Sequence, residues 1–176
     1  MTSVATDKVA SALGKLMAAG DGRFEIEPLT DTWPELDEHT AYAIQKRLVV
    51  GQVKGESTRI SGLKLGLTSV AKQKQMSVGE PIYGLLMASR MIDEGEPLRI
   101  ASLIHPKAEP EIAIVTHHDL QGPGVTPDQA RAAIESASCA MEIIDSRYKD
   151  FRFTLTDVIA DNTSAARHTI SAYRVP

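Results

Sequence analysis

Three glutamates and one lysine stand where the chemistry of this sequence is most constrained. In HPKAEPEIAIV (105–115), Glu109 and Glu111 are separated by one residue in a segment that reads as a strand. At that spacing both carboxylates leave the same face, with Cα atoms about 7 Å apart, a span that two glutamate arms can close around one cation. Two carboxylates so close repel each other unless a cation or a proton relieves them. A third acid, Glu142, sits in CAMEIID (139–145) between Met141 and Ile143, where burying a carboxylate without a partner is costly. Three carboxylates with open positions suit Mg²⁺ or Mn²⁺, hard ions that keep water or substrate oxygens. The same residues also permit a plainer account. Glu109 and Glu111 then begin a solvent-facing strand with Pro110 marking an edge, and Glu142 alternates into water.

Lys64 lies in ISGLKLGLT (60–68), which alternates with period two. Ser61, Leu63, Leu65 and Leu67 share one face, and Ile60, Gly62, Lys64 and Gly66 the other. The small neighbours leave room for a ligand beside the ammonium, which could meet a developing oxyanion or shuttle a proton. On an exposed edge it would be a solvated charge. His105, His117 and His118 are weaker candidates, and the His117-His118 pair reads as surface. Cys139 reads as an inert thiol in a core strand, Ser164 in DNTS as a loop residue, and Asp145 with Arg147 as a structural salt bridge. The chain has no HExxH, GxGxxG or P-loop pattern.

Helices precede strands in the elements that must position these groups. Val9, Leu13, Leu16 and Met17 recur at helical spacing over about 7–19, and Gly20 and Gly22 end that run. Residues 23–36 read as a loop. Asp37 caps a second helix striped by Ala41, Ile44, Leu48 and Val49, and 51–58 reads as a polar connector. Beyond it come the 60–68 strand, a helical turn near 70–76, the segment GEPIYGLL (79–86), a turn at 93–97, a strand candidate at 109–116, and a helix over 126–137. Thr126, Pro127 and Gln129 give that helix its capping box. A buried strand at 139–145 and an alternating segment at 151–161 follow. The order predicts an α+β fold, with an N-terminal helical region over 1–58 and a β-rich region over 59–176. SAARHTISAYRVP (164–176) shows no closing element.

Composition narrows the function classes. The chain has 176 residues and a net charge of -4, with 5% aromatic residues and one cysteine. An acidic surface with few aromatics argues against nucleic acid and anionic membranes as partners. One cysteine excludes an internal disulfide framework and a cysteine-rich zinc site. No signal peptide and no run of about 20 apolar residues is visible, so the expected setting is the cytoplasm.

Six segments occur in a familiar order: GLKLGLTS (62–69), EPIYGLL (80–86), HPKAEPEIAIV (105–115), LQGPGVT (120–126), MEIIDSRYKDFRF (141–153) and DVIADNTS (157–164). Together they resemble the 2-keto-4-pentenoate hydratase / 4-oxalocrotonate decarboxylase family of the fumarylacetoacetate hydrolase-like superfamily. The resemblance covers the chain up to about residue 167. It implies a fumarylacetoacetate hydrolase-like core over 59–176, incomplete at the C-terminus. It places the family's metal ligands on Glu109, Glu111 and Glu142, its active-site lysine on Lys64, and the serine near the substrate carboxylate on Ser164. Hydratases of the family carry a QPDFG-like segment. Here it is EPIYG, with Ile82 in place of the acid, which favours the decarboxylase branch. The implied reaction is Mg²⁺-dependent conversion of 4-oxalocrotonate (2-oxo-3-hexenedioate) to 2-hydroxypenta-2,4-dienoate and CO₂ in meta-cleavage degradation of aromatic compounds. Association with a partner hydratase and homo-oligomerisation are implied as well. The alternatives are a hydratase, or an inactive subunit that binds a partner hydratase.

Overall fold

Two long helices pack together because their apolar stripes have each other, and a later short helix, to cover them. The computed structural model describes residues 3–76 and 78–176. Helix α1 spans Ser3–Gly22 and α2 spans Glu38–Gly55. The Asp37 side chain accepts the Thr40 N–H and caps α2 as expected. That helix runs on through Gly55, so most of the expected connector at 51–58 is helical. The core joins Val9 and Leu16 of α1, Ala41, Ile44 and Leu48 of α2, and Val158, Ile159, Ile82 and Tyr148 from the rest of the chain. It therefore draws on both the 1–58 and the 59–176 regions.

The strands form two antiparallel sheets. In the first, β1 (Ile60–Gly66) pairs with β2 (Ile82–Met87), and α3 (Val70–Met76) lies between them in sequence. In the second the order is β3-β4-β5, from β3 (Lys107–Thr116), β4 (Ile134–Ile144) and β5 (Ala165–Ile170). Pro110 thus sits on an edge strand, the place in a sheet where proline is tolerated. Helix α4 (Pro127–Ala132) and α5 (Leu155–Ala160) complete the α+β arrangement.

Four expectations are corrected. The helix capped by Thr126 stops at Ala132, because β4 starts at Ile134 and pairs it with Thr116, and the ladder overrides helix propensity. The alternating 151–161 segment contains α5, whose start is fixed by a Thr154–Asp157 capping box. The Asp157 carboxylate also accepts hydrogen bonds from the Thr30 N–H at 3.0 Å and the Thr30 hydroxyl at 2.6 Å, tying α5 to the loop after α1. The segment after Ser164 does contain a strand: β5 pairs with β4 as an edge of the sheet, and Val175 bridges to Ala137. Cys139 is exposed rather than in the core, because nothing covers its side of β4 at that point, where Ile112 and Met141 are exposed as well. Among the described residues no helix is long and apolar enough to cross a membrane.

Candidate metal centre

The β3-β4 register places Glu109 directly opposite Glu142. Side chains of directly opposed residues share a face, and Glu111, two residues along β3, shares it too. One carboxylate oxygen from each of the three lies within 4.8 Å of the others. Glu109 is half-buried, Glu111 exposed and Glu142 buried, so the cluster opens to solvent on one side. Among the described residues this is the group of acidic side chains close enough to hold a metal ion.

Lys64 reaches this cluster from the other sheet. Its Nζ lies 2.9 Å from Glu142 Oε2 and donates to the Thr163 carbonyl at 3.3 Å. Both side chains of the pair are shielded, 10% and 6% exposed. Apart from this ion pair, neither Glu142 oxygen meets a hydrogen-bond donor. Burial pushes the Glu142 carboxyl up; Lys64 pulls it down, and Glu109 and Glu111 add to the rise. Three carboxylates around one ammonium, with Glu142 buried, lack positive charge, and a divalent cation supplies it. The donor set, all oxygen, suits Mg²⁺ or Mn²⁺.

Residues beyond the four shape the site, and apart from Ser164 sequence reasoning missed them. Lys64 pairs with Gly84 of β2. A Cβ at Gly84 would come within 2.6 Å of the Asn162 carbonyl and 3.1 Å of Lys64 Cγ and Cδ. The glycine therefore lets the lysine stem lie across β2 beneath the DNTS turn. Asn162 clamps the backbone of Leu85, accepting its N–H at 2.8 Å and donating to its carbonyl at 2.9 Å. Thr163 Oγ1 donates to the Tyr83 carbonyl at 2.8 Å. Asn162, Thr163 and Ser164 all have positive φ, at 54°, 53° and 56°, a strained run of the kind found at functional sites. Ser164 is buried, and its hydroxyl has no hydrogen-bond partner. His168 lies opposite Glu142 on β5, 7% exposed, and burial holds its imidazole below the usual range. The period-two spacing of Ala166, His168 and Ile170 was the available signal for it.

Other sequence candidates go elsewhere. His117 and His118 are exposed and contact each other edge-on. His105 bonds Glu25 through Nδ1 at 2.6 Å and the Ser146 carbonyl through Nε2 at 2.6 Å. Asp145 and Arg147 do not pair. Asp145 accepts the N–H groups of Ile104 and His105, and Arg147 pairs with buried Asp161.

No family model matches the chain. A 4-oxalocrotonate decarboxylase from a Pseudomonas species is 43% identical over 136 residues, covering 77% of this chain and 52% of that protein. A 2-keto-4-pentenoate hydratase from Burkholderia vietnamiensis is 41% identical over 161 residues, covering 91% of this chain and 61% of the relative. Among solved structures, the 4-oxalocrotonate decarboxylase of Pseudomonas putida, complexed with magnesium and adipate, superposes with a TM-score of 0.90 at 34% identity. That match covers 99% of this chain and 65% of the other. The likeness thus continues past residue 167, where the sequence resemblance was expected to fade. With the ordered motifs and the fold in agreement, the chain is a homologue of the 4-oxalocrotonate decarboxylase / 2-keto-4-pentenoate hydratase family, spanning about 52–65% of the relatives it matches.

Proposed function

We propose that the chain carries the cation-binding part of a lyase that decarboxylates 4-oxalocrotonate to 2-hydroxypenta-2,4-dienoate and CO₂ in a meta-cleavage pathway. The observation that carries this reading is the cluster of Glu109, Glu111 and Glu142 with the Lys64 ammonium against it. Glu109, Glu111 and Glu142 would hold Mg²⁺ or Mn²⁺. When bound, the ion supplies Lewis-acid polarisation of the 2-oxo acid end.

The chain's own residues have the remaining roles. Breaking the bond to the distal carboxyl releases CO₂, and its electron pair runs through the alkene to the 2-oxo oxygen. Lys64, as substrate-binding and catalytic residue, stabilises that oxyanion or gives it a proton. The Ser164 hydroxyl, buried without a partner, would donate to a substrate carboxylate. Burial of Lys64 and Glu142 away from bulk water strengthens both interactions.

The alternative is hydration of 2-hydroxypenta-2,4-dienoate, favoured by the likeness to the hydratases. Ile82 weighs against it. That side chain belongs to the hydrophobic core and offers no carboxylate at the position where the hydratase motif has one. A homo-oligomer, a complex with a partner hydratase and a cytoplasmic setting belong to the same proposal, as does the absence of nucleic acid and membrane as partners. The test is CO₂ release from 4-oxalocrotonate with and without EDTA, alongside conversion of 2-hydroxypentadienoate to 4-hydroxy-2-oxovalerate. Metal-dependent CO₂ release supports the decarboxylase. Hydration alone supports the alternative, and neither product leaves a subunit that only binds.

A further inference from the structure

On the face of the β3-β4-β5 sheet opposite the glutamates, a cavity of about 460 Å³ opens between α1, α2 and β5. Arg167 pairs with Ile143, one step along from the Glu142–His168 pair, so its side chain leaves the other face. Four arginines line the cavity: Arg23, Arg90, Arg147 and Arg167. Arg90 is held by Glu56 and Arg147 by Asp161. Arg147 Nε lies buried against Gly20, away from the cavity space. Half-buried Arg167 donates to the carbonyl of its neighbour Ala166 and has no ion pair among the described residues. Of the wall's acids, Asp145 is occupied by backbone N–H groups and Asp21 is exposed. Burial lowers the Arg90 guanidinium, Glu56 opposes this, and the like charges of Arg147 and Arg167 reinforce it.

Two glycines border the open side of the cavity. Gly51 and Gly55 stand one turn apart on α2 and line this cavity. A Cβ at either would meet no atom within 4 Å. Close packing therefore does not require glycine there, and glycine in a helix carries an entropic cost. Their effect is to keep the space open. Leu103, Ile104, Ala165 and Ala166 give the wall apolar stretches.

We infer that this cavity binds a small organic monocarboxylate, its carboxylate on Arg167 and its apolar body against Gly51 and Gly55. A planar guanidinium matches a carboxylate in two-point contact, and the volume lies within the range of small-molecule sites, about 300–1,000 Å³. The inference is independent of the metal centre. Sodium benzoate titrated calorimetrically at constant ionic strength tests it, with inorganic phosphate as a second arm. Saturable benzoate binding in the ~mM range or tighter is expected, weakened about tenfold or more by Arg167→Met and by Gly51→Leu. Glu109→Gln should leave it unchanged. Gly51→Leu fills open space with a better helix former, so it decides the matter should Arg167→Met fail to fold. Absence of saturation overturns the inference. So does wild-type binding in Gly51→Leu, phosphate binding as tight as benzoate, or loss of benzoate binding in Glu109→Gln.

Discussion

Lys64 Nζ lies 2.9 Å from Glu142 Oε2, and this contact joins two sheets that share no backbone ladder. One sheet brings the ammonium and the other the carboxylates. The DNTS turn holds them in reach, since Asn162 grips β2 while the Thr163 carbonyl receives the lysine. The site is an interface between elements.

Ligand removal should abolish cation binding. Outer-shell changes at metal sites already cost about 10–100-fold in affinity, so Glu109→Gln or Glu142→Gln should weaken Mn²⁺ binding at least that much. Calorimetric titration measures it. Wild-type affinity in both variants would remove the glutamates as ligands.

Lys64→Met should strand a buried carboxylate. Breaking a buried pair costs about 3–5 kcal/mol, with Glu142 taking up a proton to limit the loss. Saturating Mn²⁺ should return most of the lost thermal stability, because the cation replaces the ammonium. Melting curves in EDTA and in Mn²⁺ separate these effects, while decarboxylation should stay lost in both.

Glycine substitutions on the two strands should diverge. Gly84→Ala crowds the Asn162 carbonyl and the Lys64 stem and should cost about 1–3 kcal/mol with loss of turnover. At Gly62 an added Cβ meets only Leu86 Cδ1 at 3.9 Å, so Gly62→Ala should keep its turnover. Equal behaviour of the two variants would contradict the lysine path described here.

His168 should make the metal-free chain acid-sensitive. Burial lowers its pKa from the ordinary 6.5. The unfolded chain therefore binds more protons between the lowered value and 6.5, and stability falls as pH drops through that window. Stability is fully present above 6.5. Denaturant midpoints from neutral to mildly acid pH should show this loss for the wild type and a flatter profile for His168→Phe.

Cys139 should react rapidly with an aromatic disulfide reagent in the native state, because its side chain is exposed. Labelling only after denaturation would return it to the core, where its apolar neighbours suggested it belonged.

What the sequence determined by itself was local. Period-two spacing put Glu109 and Glu111 on one face, Asp37 and Thr126 marked two helix starts, and the glycines around Lys64 marked a strand face with room beside it. Its ordered motifs carried the family likeness and the roles expected of Glu142 and Ser164. The tertiary structure decided which faces are covered. Leu63 and Leu65 stay 61% and 55% exposed while Lys64 turns inward, a choice no alternation pattern contains. It also decided that 151–161 holds a helix and that AARHTI is a strand, because Asp157 finds Thr30 and His168 finds Glu142 only across long sequence separations. Periodicity reports which residues share a face; only packing and register choose what that face meets.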